Sequence, residues 1–133
     1  MDINSINVIT LAYMGDAVFE VYMRKMCIRK GIVKVLELQK EVTRYVSAKG
    51  QASILNYFIE NHILTDEEIG LVKRGRNYKR NLHPKHTSLG VYKLSTGFET
   101  LIGYLYLSNH IDRLEEIMKE IEVKSCMFLG KML

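Results

Sequence analysis

Residues 11–23 read LAYMGDAVFEVYM and residues 95–107 read STGFETLIGYLYL, and each segment sets a glycine close to an acid within an apolar stretch of helix length. At 3.6 residues per turn, Leu11, Met14, Val18 and Val21 form one apolar stripe and Ala12, Phe19 and Met23 another, so the first segment is expected to be a helix buried nearly all round. A lone carboxylate inside such a helix must take up a proton or find a partner. Neither Asp16 nor Glu99 has a Lys or Arg one turn away on its own helix. Glycine inside a helix costs about 1 kcal/mol relative to alanine, which favours reading Gly15 and Gly103 as sites of close backbone approach. Two acids on two such helices suggest a shared cation, and hard oxygen ligands with few protein donors fit Mg²⁺. Spacing alone leaves other readings open. Thr96 and Glu99 also have capping-box spacing, and Asp16 could accept hydrogen bonds from a tyrosine or a backbone amide in the core.

A chain of 133 residues, 47% hydrophobic and 26% charged, is expected to form one soluble globular domain spanning residues 1–133. The N-terminus lacks a charged segment followed by an apolar one, and Asp16 and Glu20 interrupt the only long apolar stretch, so neither secretion nor membrane insertion is expected. Cys27 and Cys126 have no C-x-x-C or zinc spacing, which fits a reducing, cytoplasmic setting with both as packing residues. His62, His83, His86 and His110 are scattered and read as surface or loop residues rather than ligands. No Ser-His-Asp or Cys-His constellation is visible.

Charge is uneven along the chain. Between Ile69 and Phe98 there is no Asp or Glu, while Lys73, Arg74, Arg76, Lys79, Arg80, Lys85 and Lys93 cluster there; with a net charge of +4 overall, the remainder is net acidic. A phosphate-rich partner suits this segment, and so does a plain solubilising surface.

The apolar pattern reads as helix after helix. Ser5 or Thr10 is placed to cap a first helix running to about Ile28, with Gly31 as its stop. Val35, Leu38, Val42 and Tyr45, then Ile54, Leu55, Phe58 and Ile59, recur at helical spacing on either side of a break near residues 47–50. Thr65 and Glu68 have capping-box spacing and open a helix that ends near RGRN, residues 74–77. Residues 78–93 hold the only proline and no steady period, so a loop is expected there. Further helices are expected from Thr96 to Ser108 and over the amphipathic DRLEEIMKEIEVK. No run alternates like a strand; the expected class is all-α.

LAYMGDAVFEVYM resembles the signature helix of the ribonuclease III family, and FETLIGYLYL its second acidic motif. Together with TRYVSAKGQA, RGRN and YKLSTGFETLIGYLYL, and with no room for a double-stranded-RNA-binding domain, the chain is similar to the short Mini-III group of that family, up to about His110. The resemblance implies a Mg²⁺-dependent endoribonuclease that hydrolyses double-stranded RNA to 5′-phosphate products, works as a homodimer and trims precursor large-subunit (23S) ribosomal RNA. Asp16 and Glu99 match the family's metal-binding catalytic carboxylates, whose part is to position the ion rather than to act as nucleophiles. Two further acids of larger members fall at Ala12 and Thr96 here, which is similar to the Mini-III pattern. Lys49 and Gln51 match a motif near the RNA path, and Lys73, Arg74, Arg76, Asn77, Lys79, Arg80 and Lys85 are the basic and amide side chains suited to reading an A-form duplex by its shape. The alternative class is a non-catalytic double-stranded-RNA-binding or ribosome-associated module of the same fold. A DNA-binding protein would need a helix-turn-helix, and none is recognisable. The first helix has more apolar surface than one core needs, so the stripe of Ala12, Phe19 and Met23 is expected to meet a second chain.

Overall fold

The computed structural model describes residues 1–79 and 85–128. Among them a 3-10 turn at Ile3–Ser5 precedes six α-helices, and there is no strand: α1 (Val8–Arg29), α2 (Val35–Val46), α3 (Ala48–Glu60), α4 (Asp66–Arg76), α5 (Leu89–Leu107) and α6 (Ile111–Phe128). The chain is all-α, as its apolar pattern predicts.

Most helix ends follow from local chemistry. Asn7 caps α1, its side-chain oxygen accepting from the Ile9 amide at 2.9 Å; Ser5 is already inside the 3-10 turn and Thr10 inside the helix, so neither residue expected as the cap serves. Gly31 ends α1 in the left-handed region, φ 96°, where the Ile32 amide returns to the Cys27 carbonyl. Thr65 and Glu68 form the expected capping box at α4.

The largest departure is α5, which starts at Leu89 rather than Thr96. Ser88 caps it by accepting from the Val91 amide at 3.2 Å, so the last five residues of the stretch expected as loop, 89–93, are helical. Its apolar period is faint because Ser95, Thr96 and Gly97, all buried, hold positions where large apolar residues would normally announce a helix. Gly97 is small because α4 sits directly on it.

Helix α5 is the axis of the fold. On one side α1 crosses it backbone to backbone: a Cβ added at Gly15 would overlap the Glu99 carbonyl oxygen and lie 2.8 Å from the Gly103 amide nitrogen, and one added at Gly103 would overlap the Leu11 carbonyl oxygen and lie 3.0 Å from the Gly15 nitrogen. Phe19 and Phe98 close this seam edge to face, ring centroids 4.9 Å apart. On another side α4 approaches: a Cβ at Gly97 would lie 2.7 Å from the Val72 carbonyl oxygen, and one at Gly75 would be 3.0 Å from the Gly97 Cα. Helix α6 covers the core with Leu114, Ile117, Met118, Ile121 and Phe128. Arg113 ties it down, its Nε and Nη2 each donating to Glu68 at 2.8 Å and Nη2 also to the Ile63 carbonyl at 2.8 Å.

Helix α1 is not buried all round. Ala12, Phe19 and Met23, expected to face a second chain, lie inside the chain's own core at no more than 3% exposure. The face left open carries instead Tyr13, 84% exposed, Ala17, and Val21, 64% exposed. Apolar spacing shows how much of a helix shuns water; it does not show which stripe the rest of the chain covers. No described helix is long and apolar enough to cross a membrane.

Candidate active site

The α1–α5 crossing brings the turn that carries Asp16 against the turn that carries Glu99, because Gly15 rests on the carbonyl of Glu99 itself. A bulkier residue at Gly15 or Gly103 would separate the two turns that carry the acids. Contrary to expectation, Asp16 is exposed: it sits on the solvent side of a buried glycine and needs no internal partner. Glu99 is partly buried and lies in mid-helix, three turns into α5, so it caps no helix start. Ala12 and Thr96 cannot stand in for further acids. Both are 3% exposed, and the Thr96 hydroxyl donates to the Tyr92 carbonyl at 3.1 Å.

Among the described residues no group of three or more His, Cys, Asp or Glu side chains is gathered for a metal ion. The donor set at the crossing is therefore two carboxylates, one of them open to solvent. Hard oxygen donors with space for water fit Mg²⁺, which keeps several of its waters and needs only one or two carboxylates.

The elbow between α2 and α3 reaches the same site. Ser47 serves both helices: its amide closes α2 on the Thr43 carbonyl, and its hydroxyl caps α3 by accepting from the Gly50 amide at 3.1 Å. Gly50 rests against the carbonyls of Arg44 and Tyr45, which keeps the elbow tight. Lys49 points outward from the first turn of α3 and is exposed, as an RNA contact must be. Gln51 does not fit that expectation. It is 1% exposed, and its Nε2 donates to the Val46 carbonyl at 3.1 Å and to Glu99 Oε2 at 3.3 Å, so its amide faces the acid and not solvent.

The cations of the basic run gather at the end of α4. Lys73, Arg74 and Arg76 fill the last turn of α4, the half of that helix held against α5 by Gly75 and Gly97. Asn77 closes the helix and is exposed, as are Lys79 and Lys85, while Arg76 is half-buried; Arg80 and His83 lie outside the described residues. Ion pairs among the described residues are made by Arg24, Arg29, Arg44 and Arg113, and none by the α4 cations, Lys79 or Lys85. Their charge is left for an external anion.

The described histidines are exposed, as expected: His62, His86 and His110, the last with Nδ1 2.6 Å from the Ser108 hydroxyl. Cys27 is buried and packs in the core, where burial pushes its thiol up from its ordinary value; Cys126 is exposed, so it is not the packing residue expected. Sequence reasoning passed over Tyr13, which is exposed on α1 one turn before Asp16, and the Glu68–Arg113 clamp, whose members lie far apart in the chain.

A model of the ribonuclease III domain matches residues 9–110. The chain is 42% identical over 118 residues to Mini-ribonuclease 3 of Streptococcus pneumoniae, covering 89% of this chain and 92% of that one. It is 46% identical over 121 residues to Mini-ribonuclease 3 of Clostridium tetani, covering 89% and 78%. The crystal structure of a Fusobacterium nucleatum protein, 30% identical, superposes with a TM-score of 0.76 over 89% of this chain and 93% of that chain.

Proposed function

Because this chain belongs to the ribonuclease III family and is an endoribonuclease of double-stranded RNA, we propose that Asp16 and Glu99 are its catalytic metal ligands, that the ion is Mg²⁺, and that the enzyme matures precursor large-subunit (23S) ribosomal RNA in the cytoplasm as a homodimer of single catalytic domains. The observation that carries this reading is the glycine-on-glycine crossing, which sets the helical turn of the exposed Asp16 directly against the backbone of the half-buried Glu99.

Bound Mg²⁺ supplies the positive charge that acidifies water and offsets charge building on the phosphodiester. The chain's own residues do the rest. Asp16 and Glu99 would provide hard oxygen ligands for the ion, on two helices fixed to one another by backbone contact. Lys49, Lys73, Arg74, Arg76, Lys79 and Lys85 meet phosphates, and Asn77 offers a neutral amide to sugar edges; Arg80 belongs to the same basic run in sequence. Contacts of this kind recognise the width and spacing of an A-form duplex rather than its bases.

The homodimer is supported by the open face of α1. Tyr13 projects from it, and a groove of about 440 Å³ lined by Met14, Ala17, Val18, Val21, Tyr22 and Tyr106 together with the charged Lys25 and Glu115 lies along the same helix. Knob and groove on one surface suit a two-fold axis, each chain's Tyr13 entering the other's groove. Both acids then come from one chain, giving two complete sites.

The test is substitution of the acids. Asp16→Asn and Glu99→Gln should each abolish cleavage of a plain RNA duplex in Mg²⁺ while the melting temperature and duplex binding stay close to wild type. Loss of folding in both variants, without a selective loss of activity, would overturn the assignment.

A further inference from the structure

We propose that Gln51 is a positioning residue for the metal ligand Glu99: its buried amide fixes the carboxylate's orientation and so sets the enzyme's affinity for its divalent cation. The inference rests on Glu99 being a metal ligand, as proposed above.

Both donor contacts of the amide point to acceptors, Val46 O and Glu99 Oε2. Turning the amide over would set its oxygen against two other oxygens, so its orientation is fixed. The anchor is the end of α2, held in turn by the Ser47 caps and the Gly50 contact, so Gln51 ties Glu99 to a rigid elbow rather than to a mobile side chain. The arrangement has a cost: Gln51 Oε1 is buried with no hydrogen-bond partner among the described residues. A residue selected for stability alone would not leave a buried acceptor orphaned, since an apolar side chain of the same size would avoid that loss. What the amide supplies and a methionine cannot is a donor aimed at Glu99. A ligating carboxylate held by a hydrogen bond from behind presents a set direction to its metal, and removing such a support typically weakens metal affinity roughly 10- to 100-fold.

The experiment uses Gln51→Met, which keeps the volume and removes the donors, and Gln51→Asn, which keeps the amide but is too short to span Val46 and Glu99. Mn²⁺ binding to the RNA-free protein is measured by electron paramagnetic resonance, alongside the Mg²⁺ dependence of duplex cleavage and duplex affinity without divalent metal. Both variants should fold, bind duplex as wild type does, and need roughly 10- to 100-fold more Mn²⁺ and Mg²⁺ at half-saturation, with cleavage recovering toward wild type at high Mg²⁺. Weaker duplex binding at an unchanged metal midpoint would make Gln51 an RNA contact instead and overturn the proposal. Unchanged values throughout, or failure of both variants to fold, would make it a residue of the fold alone. Glu99→Gln serves as the control: if that variant cleaves normally, it is the assignment of Glu99 that fails.

Discussion

Gly15→Ala adds one methyl group where the structure has no room for it. The new Cβ would overlap the Glu99 carbonyl oxygen and lie 2.7 Å from its carbonyl carbon, whereas ordinary contact begins at 3.4 Å. Both obstacles are backbone and cannot rotate away, so α1 and α5 must part by roughly 1 Å or more. Overpacking of this kind costs about 1–3 kcal/mol, and alanine's better helix propensity returns about 1 kcal/mol. With rigid backbone on both sides the upper part of the range applies, leaving a net loss of about 2 kcal/mol, or about 6 °C in melting temperature for a chain of this size. Catalysis should suffer more than stability. Parting the helices moves Asp16 relative to Glu99, and a misplacement of about 1 Å lowers a rate on the order of 100-fold. Gly70→Ala is the matched control: Gly70 lies within α4 with nothing within 4 Å of an added Cβ, so it should gain about 1 kcal/mol and keep full activity. The assays are thermal unfolding at one protein concentration and duplex cleavage at saturating Mg²⁺. If Gly15→Ala matched Gly70→Ala in both stability and rate, the crossing would not be what holds the acids together, and the argument for the site would fall with it.

Replacing Lys73, Arg74 and Arg76 with alanine should weaken duplex binding and lower the slope of log K against log salt by about 3 or somewhat less, since each lost phosphate contact removes somewhat under one unit; an unchanged slope would place the RNA elsewhere. Burial alone would push the Glu68 carboxyl up, but the Arg113 hydrogen bonds and charge, with the Thr65 amide, outweigh it and hold it below its ordinary value of 4.5. A carboxyl depressed in the folded state stabilises above its unfolded pKa and loses that contribution as pH falls through the folded one, so wild-type stability should drop on acidification below about pH 4.5 and Glu68→Gln should flatten that limb. Arg113→Met should cost about 2–3 kcal/mol in urea unfolding at neutral pH, less than a fully buried pair because the Arg113 side chain is 26% exposed. Tyr13→Asp should give a folded monomer by ultracentrifugation if the open face of α1 is the dimer surface, and a dimer of one wild-type and one Asp16→Asn chain, isolated with two tags, should nick only one strand of a duplex; clean double-strand cuts from it would refute paired independent sites.

The sequence by itself determined the helices, because a period of 3.6 and capping chemistry are local: the Thr65–Glu68 box, the Gly31 stop and the break at Ser47 all stand where residue types put them. It also singled out Asp16, Glu99, Gly15 and Gly103, since acids and glycines inside apolar helices need a reason that lies outside the helix. The start of α5 was hidden because the buried positions Ser95, Thr96 and Gly97 are small, Gly97 on account of α4 packing against it, and a residue chosen for its neighbour's shape carries no helical period of its own. The same holds for the face of each residue. Which stripe of α1 is covered, whether Asp16 meets water, and whether Gln51 looks toward RNA or toward Glu99 depend on where α5 and the α2–α3 elbow come to rest. Burial and hydrogen-bond partners are relations between distant segments, and only the tertiary structure brings those segments into contact.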